Sequence, residues 1–271
     1  MEDRQVIITL VENLVYSSGL SAEHGLSLYI EFNDVRILFD TGQTADCLLN
    51  NSAKLGVDLA LVDHCVISHG HYDHTGGLAA FRQINPDCTL WINKQAAWPR
   101  YSLKGDYIGM GQPELADQAN SVAQVTEIAS GIFILPAGPL QYPDDQHMSG
   151  FFMQKDGQRQ PDDFMDEQSL VLVRDGAMQI ISGCSHRGIT NIIQYAIDSF
   201  NLPVELVVGG FHLRHDKDIS ATATRLDSFG IRRLGVSHCT GVEKYVELRG
   251  ILNSHVFYNH TGHKTELFKD H

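Results

Sequence analysis

The chain has 271 residues, a formal net charge of −13 and 43% apolar residues. That length suits one large domain or two small ones. The acidic balance speaks against a nucleic-acid backbone as main partner, and no apolar run reaches the ~18 residues of a membrane span. Met1–Gln5 lacks a basic leader region and runs straight into the strand-like Val6–Leu10, so no signal peptide is expected. The five cysteines, Cys47, Cys65, Cys88, Cys184 and Cys239, are scattered and never form a Cys-x-x-Cys pair. They predict a reducing, cytoplasmic setting rather than a disulfide framework.

Val6–Val11 reads as a first strand and Leu26–Phe32 as a second. Asn33-Asp34 is turn chemistry, so Val35–Phe39 should close a hairpin and end at Asp40. Thr44–Leu55 reads as a helix closed by Gly56. Val62–Ile67 is a buried strand that ends in Ser68-His69-Gly70-His71-Tyr72-Asp73-His74. A helix follows to about Ile84 and is stopped by Asn85-Pro86; Cys88–Ile92 is another strand. From residue 94 to 166 the periodicity weakens, apart from strand-like pieces at Val122–Ile128 and Ile132–Leu135. An irregular insertion of that length is expected to be a lid or binding loop.

Regularity returns with a hairpin, Ser169–Val173 and Met178–Ile181, joined at Asp175-Gly176. Strand and helix then alternate: Gly188–Phe200, Pro203–Val208, Ile219–Phe229, Arg233–Val236, Val242–Leu252 and a last short strand from Val256. The pattern predicts one α/β domain of two similar halves, residues 1–271, with mixed sheets and helices outside.

Strand after strand ends in a segment bearing histidine: His69, His71 and His74 first, then His186, His212 and His238 at equal intervals. Asp40 holds the same position after its strand. In layered α/β folds such ends converge, and imidazole with carboxylate suits zinc, iron or manganese. Together with Asp40 and Asp73, these side chains would suffice for two ions. His24 either reaches this site to meet substrate or is structural. Arg100 and Tyr101 either bind an anionic or aromatic group of the substrate or brace their loop. Glu167 offers the same choice. Cys184 and Cys239 read as small packed residues. His64, His147, His215, His255, His260, His263 and His271 form no constellation and read as surface or packing residues.

The motif His69-x-His71-x-Asp73-His74, preceded by Asp40-Thr41-Gly42, resembles the metallo-β-lactamase superfamily. Further motifs are similar to one branch, named for dihydropterin-methyl-ribofuranosylaminobenzene phosphate synthase. They are Ala22-Glu23-His24-Gly25-Leu26-Ser27, Arg100-Tyr101-Ser102, Tyr107-Ile108-Gly109, Asp166-Glu167-Gln168, Gly183-Cys184-Ser185-His186, Gly209-Gly210-Phe211-His212-Leu213 and His238-Cys239-Thr240-Gly241. The resemblance implies a four-layer αββα sandwich of two mixed β-sheets flanked by helices. It implies that His69, His71 and His186 hold one metal, that Asp73, His74 and His238 hold a second, and that Asp40 orients a ligand. At His212 many members carry a bridging aspartate; here an imidazole either ligates one metal, contacts substrate or stands aside.

The leading functional expectation is a metal-dependent hydrolase, or a related lyase or transferase, using one or two Zn2+ ions, with iron or manganese as substitutes. Metal-bound hydroxide would attack a small anionic phosphate ester, cyclic phosphate or lactone, with Asp73 as a catalytic proton acceptor. One alternative is a synthase joining a pterin to a ribosylaminobenzene phosphate, with Tyr101, Tyr107 and Phe211 stacking on the pterin. Another is a metal-dependent small-molecule sensor without turnover; a di-iron redox role is a further one. No membrane partner is expected, and the oligomeric state is left open.

Overall fold

A computed structural model of the chain describes residues 5–268. Met1–Arg4 and His271, on which two of the expectations above rest, lie outside the described residues. The described residues fall into two compact units. Of the described residues, the first comprises 5–122, 148–166 and 260–268, and the second 123–147 and 167–259.

The first unit is built on a six-stranded mixed sheet. Its order is Lys264–Glu266, Val6–Val11, Ser27–Phe32, Val35–Phe39, His64–Val66 and Thr89–Trp91. The first four strands run antiparallel and the last two pairings are parallel. Asn33 and Asp34 both take positive φ, 50° and 60°, the backbone that a tight hairpin turn requires and that Asn and Asp tolerate. The helix Ala45–Leu55 starts where the Thr44 side chain accepts the Cys47 N–H and stops at Gly56 in the left-handed region. It buries Cys47 and Leu48 in a core with Val6, Ile8, Leu38 and Phe81.

The second unit carries a seven-stranded mixed sheet. Its order is His255–Tyr258, Arg233–Ser237, Val204–Gly210, Ala177–Ile181, Gln168–Arg174, Ile132–Pro136 and Thr126–Ala129. The first four are mutually parallel and the rest antiparallel. Asp175 and Gly176 turn its hairpin with φ 51° and 76°. The helix Ile189–Phe200 buries Ile189, Ile193 and Ala196 against Val207, Phe211 and Leu226.

The stretch from 94 to 166 is more ordered than its sequence suggests. Ile132–Pro136 and Thr126–Ala129 complete the large sheet of the second unit. Arg100–Ser102, Phe151–Lys155 and Gln158–Pro161 form a separate three-stranded antiparallel sheet in the first unit. These strands are short and half-exposed, so neither a clean alternation nor an apolar run marks them. Among the described residues no helix is long and apolar enough to cross a membrane.

Candidate metal centre

In the first unit the parallel pairing of Val35–Phe39 with His64–Val66 ends both strands on one edge. Asp40 leaves its strand with φ 60°. Its carboxylate then collects three donors. Oδ1 accepts the Ser68 N–H at 2.6 Å; Oδ2 accepts the Ser68 hydroxyl at 2.7 Å and His74 Nδ1 at 2.6 Å. Asp40, Ser68, His69 and His74 are fully buried. A carboxylate at Nδ1 holds the proton there and leaves His74 Nε2 as the lone-pair nitrogen. Ser68 Oγ uses its O–H to donate to Asp40, so its lone pair accepts from His69 Nδ1 at 2.9 Å. That leaves Nε2 of His69 as a lone-pair nitrogen too.

His69 Nε2 lies 3.1 Å from His71 Nδ1. Two nitrogens bound at ~2.0–2.1 Å to one tetrahedral ion stand roughly 3.3 Å apart. The pair is therefore spaced as two ligands of a single ion. Burial, with the neighbouring His74 and His71 imidazoles, pushes the His69 pKa well below its usual value. The ring is neutral, which is the metal-binding form. Asp73 Oδ2 stands 3.8 Å from His74 Nε2 and 3.2 Å from Nε2 of the half-exposed His24. The donor set of this unit, buried imidazoles with a carboxylate, fits a borderline divalent cation.

The loop carrying these donors is clamped. Asp166 Oδ2 accepts the Gly70 N–H at 2.8 Å, while its Oδ1 pairs with Arg100 at 2.7 Å. A side chain at Gly70 would run into the Ala96 carbonyl oxygen, so only glycine admits this approach. Phe151 and Phe164 each stand 5.4 Å from the His71 ring and wall it. One of the expected substrate contacts changes meaning here. Arg100 is 1% exposed. Its Nε binds Asp162 at 2.9 Å, and Nη1 donates to the carbonyls of Gln95, Ala96 and Trp98. Its fork is spent on the protein, so in this structure it braces the loop, the second of the two roles expected for it. Tyr101 donates its hydroxyl to Gln154 at 3.2 Å and packs edge-on to Tyr107.

In the second unit, the parallel strands Ala177–Ile181, Val204–Gly210 and Arg233–Ser237 end in register. Such C-terminal ends share one edge. Ser185, His212 and His238 follow with φ 57°, 52° and 50°, a region costly for residues other than glycine. The His186 and His212 rings meet at 4.4 Å. Donor atoms of Cys184, His186 and His212 lie within 4.8 Å of one another, as do those of Cys184, His238 and Cys239.

Glu167 is the second correction. It is 2% exposed, and its carboxylate accepts the N–H of His186 at 2.6 Å and of Arg187 at 3.0 Å. It holds the backbone that carries His186, the structural one of the two roles expected for it. His147, expected as a surface or packing residue, is packed: its side chain is 8% exposed, its backbone N–H donates to the His186 carbonyl at 2.7 Å and its ring stands 5.6 Å from His212. Burial opposes charge on His147, but the bond to Asp145 and the charges of Asp216 and Asp145 raise its pKa. No motif marks His147, whereas Asp166 stands beside Glu167 in the quoted Asp166-Glu167-Gln168. Phe211 is fully buried in the core of its unit, so it cannot stack on a ligand.

A family model described as the metallo-β-lactamase superfamily matches residues 21–159. The chain belongs to that superfamily. A superfamily relative from Methanocaldococcus jannaschii is named 7,8-dihydropterin-6-methyl-4-(beta-D-ribofuranosyl)-aminobenzene-5'-phosphate synthase. It is 28% identical over 266 residues, covering 88% of each chain. An uncharacterised protein of the same organism is 32% identical over 268 residues, covering 95% of this chain and 98% of its own. The solved structure of Tm1679, described as a metal-dependent hydrolase of the beta-lactamase superfamily, superposes with a TM-score of 0.86. It is 32% identical and covers 97% of this chain and 99% of its own. The expected α/β class, mixed sheets flanked by helices, is thus the metallo-β-lactamase fold, and the expected branch resemblance is met by the synthase. The superfamily is largely enzymatic, and its members generally bind metal ions.

Proposed function

We propose that the protein is a metal-dependent hydrolase of a small anionic ester, cyclic phosphate or lactone. The observation that carries this reading is the buried His69–His71 pair, 3.1 Å between nitrogens, beside a His74 whose proton Asp40 holds at Nδ1. In this reading His69, His71, Asp73 and His74 are metal ligands in the first unit, and His186, His212 and His238 are metal ligands in the second. One or two ions are bound, zinc or, in its place, iron or manganese. When bound, such an ion acidifies water and polarises the bond to be cleaved.

The chain's own side chains do the rest. Asp40 and Ser68 keep His74 and His69 in one tautomer, so the lone pairs stay aimed. Asp73 accepts the proton released in the reaction, and His24, 3.2 Å away and half-exposed, passes it to solvent. Phe151 and Phe164 exclude water from one side of His71. Tyr101, half-buried beside Tyr107, is the remaining candidate for a contact with an aromatic substrate group. The test is metal analysis of the purified protein followed by a panel of phosphate esters, cyclic phosphates and lactones. Turnover should vanish on chelation and return with zinc, and His71→Ala should lose both metal and activity. Full metal content and full hydrolysis in His71→Ala would end this reading.

The synthase relative, matched over 88% of both chains, favours a second reading, a transferase joining a pterin to a ribofuranosylaminobenzene phosphate. Mass spectrometry of products from a dihydropterin diphosphate incubation decides between the two. A condensation product would displace the hydrolase.

A further inference from the structure

The imidazole donors of the second unit, His186, His212 and His238, are neutral ligands. A divalent cation held by them alone would be poorly compensated in a buried setting. An anionic donor among them has a candidate in the same cluster. Cys184 is 3% exposed, and it belongs to both donor groups of this unit, with His186 and His212 and with His238 and Cys239.

The turn that carries Cys184 is fixed from several sides. The Gly210 N–H donates to the Gly183 carbonyl at 2.8 Å, and Ser185 Oγ donates to the Gly210 carbonyl at 2.8 Å. Cys239 Sγ donates to the Cys184 carbonyl at 3.4 Å. The sulfur of Cys184 is thus positioned before any ion arrives. Cys239 is the neighbouring sulfur: a side-chain hydrogen bond joins it to Cys184, its Sγ lies 3.4 Å from the Cys184 carbonyl oxygen, and it occupies the space where a Cβ on Gly210 would come within 2.6 Å.

We infer that Cys184 is a thiolate ligand to the metal, acting with His186 and His212. The inference rests on the proposed metal-binding reading and deepens it. On loading, the thiol proton leaves to solvent as the metal–sulfur bond forms, and the thiolate supplies the anionic donor that the histidines do not. The sulfur also biases the site toward zinc or iron over manganese.

The decisive experiment is X-ray absorption on the zinc-loaded full chain. It should reveal a sulfur scatterer at ~2.3 Å, distinct from nitrogen and oxygen at ~2.0–2.2 Å. Cobalt loading should give a near-ultraviolet sulfur-to-metal charge-transfer band that disappears in Cys184→Ser and persists in Cys239→Ser. If Cys184→Ser does not fold, Cys239→Ser decides: the sulfur scatterer must remain in it, and its loss there overturns the assignment. Bound zinc with only nitrogen and oxygen neighbours would overturn the assignment while leaving the metal reading intact. A sulfur signal that survives Cys184→Ser and vanishes in Cys239→Ser would overturn it too. A chain that takes up no metal would remove both.

Discussion

Glu167→Gln separates a positioning carboxylate from a substrate contact. The native carboxylate accepts two backbone N–H groups, at 2.6 and 3.0 Å, from His186 and Arg187. Glutamine keeps the size but has one acceptor oxygen, so its NH2 faces one of the two donors. One charge-assisted bond of ~1.5–3 kcal/mol is lost, and the other weakens to the ~1 kcal/mol of a neutral bond. The expected cost is about 2–5 kcal/mol. At ~2–4 °C per kcal/mol for a chain of this size, the melting temperature should fall by about 4–20 °C. The assay is thermal denaturation followed by circular dichroism, without substrate, together with zinc affinity. A melting temperature within about 1 °C of wild type, coupled with a raised KM alone, would refute the argument and return Glu167 to the substrate.

Asp40→Asn tests the carboxylate at the centre of the first unit's network. Asparagine tolerates the φ of 60° at this position, so the change removes charge with little backbone cost. Zinc affinity, measured by chelator competition, should drop ~10–100-fold; unchanged affinity would dismiss Asp40 as the group that orients His74. Cys47 and Cys88 offer a chemical test. Burial is the main cause that pushes each thiol up to about 12. At pH 8 the thiolate is then roughly one part in ten thousand. Because the folded pKa is raised, the protonated thiols favour the fold below their usual value, and that contribution fades as pH climbs toward 12. Iodoacetamide at pH 8 should leave both residues unlabelled until the chain is unfolded, and peptide mass spectrometry reads the outcome.

Local chemistry made much of the fold legible. Asn33-Asp34 and Asp175-Gly176 announced their hairpins because few residues accept positive φ in succession. The Thr44 cap and Gly56 stop bounded a helix for similarly local reasons. The motif from His69 to His74 announced itself because it packs so many donors into one loop. What escaped is long-range. The Gly70 N–H finds Asp166 across 96 positions in the chain, and no periodicity encodes that meeting. Arg100 and Glu167 are charged residues that look available in sequence and are consumed by burial. His147 stands alone in its loop and acquires partners only when Asp145, Asp216 and His212 fold around it.

The left-handed residues at the strand ends carry a consequence for how this protein can change. Asp40, Ser185, His212 and His238 each occupy a backbone conformation that glycine would adopt at lower cost, by ~1–2 kcal/mol for an ordinary side chain. Stability and chemistry therefore pull in opposite directions at these positions. A random glycine there relaxes the chain and erases a donor. The fold forgoes stability where the side chains of the candidate centre stand and recovers it in two apolar cores. Variation that keeps the protein soluble and well folded can thus abolish whatever it does, so thermal stability alone is a poor guide to which relatives remain active.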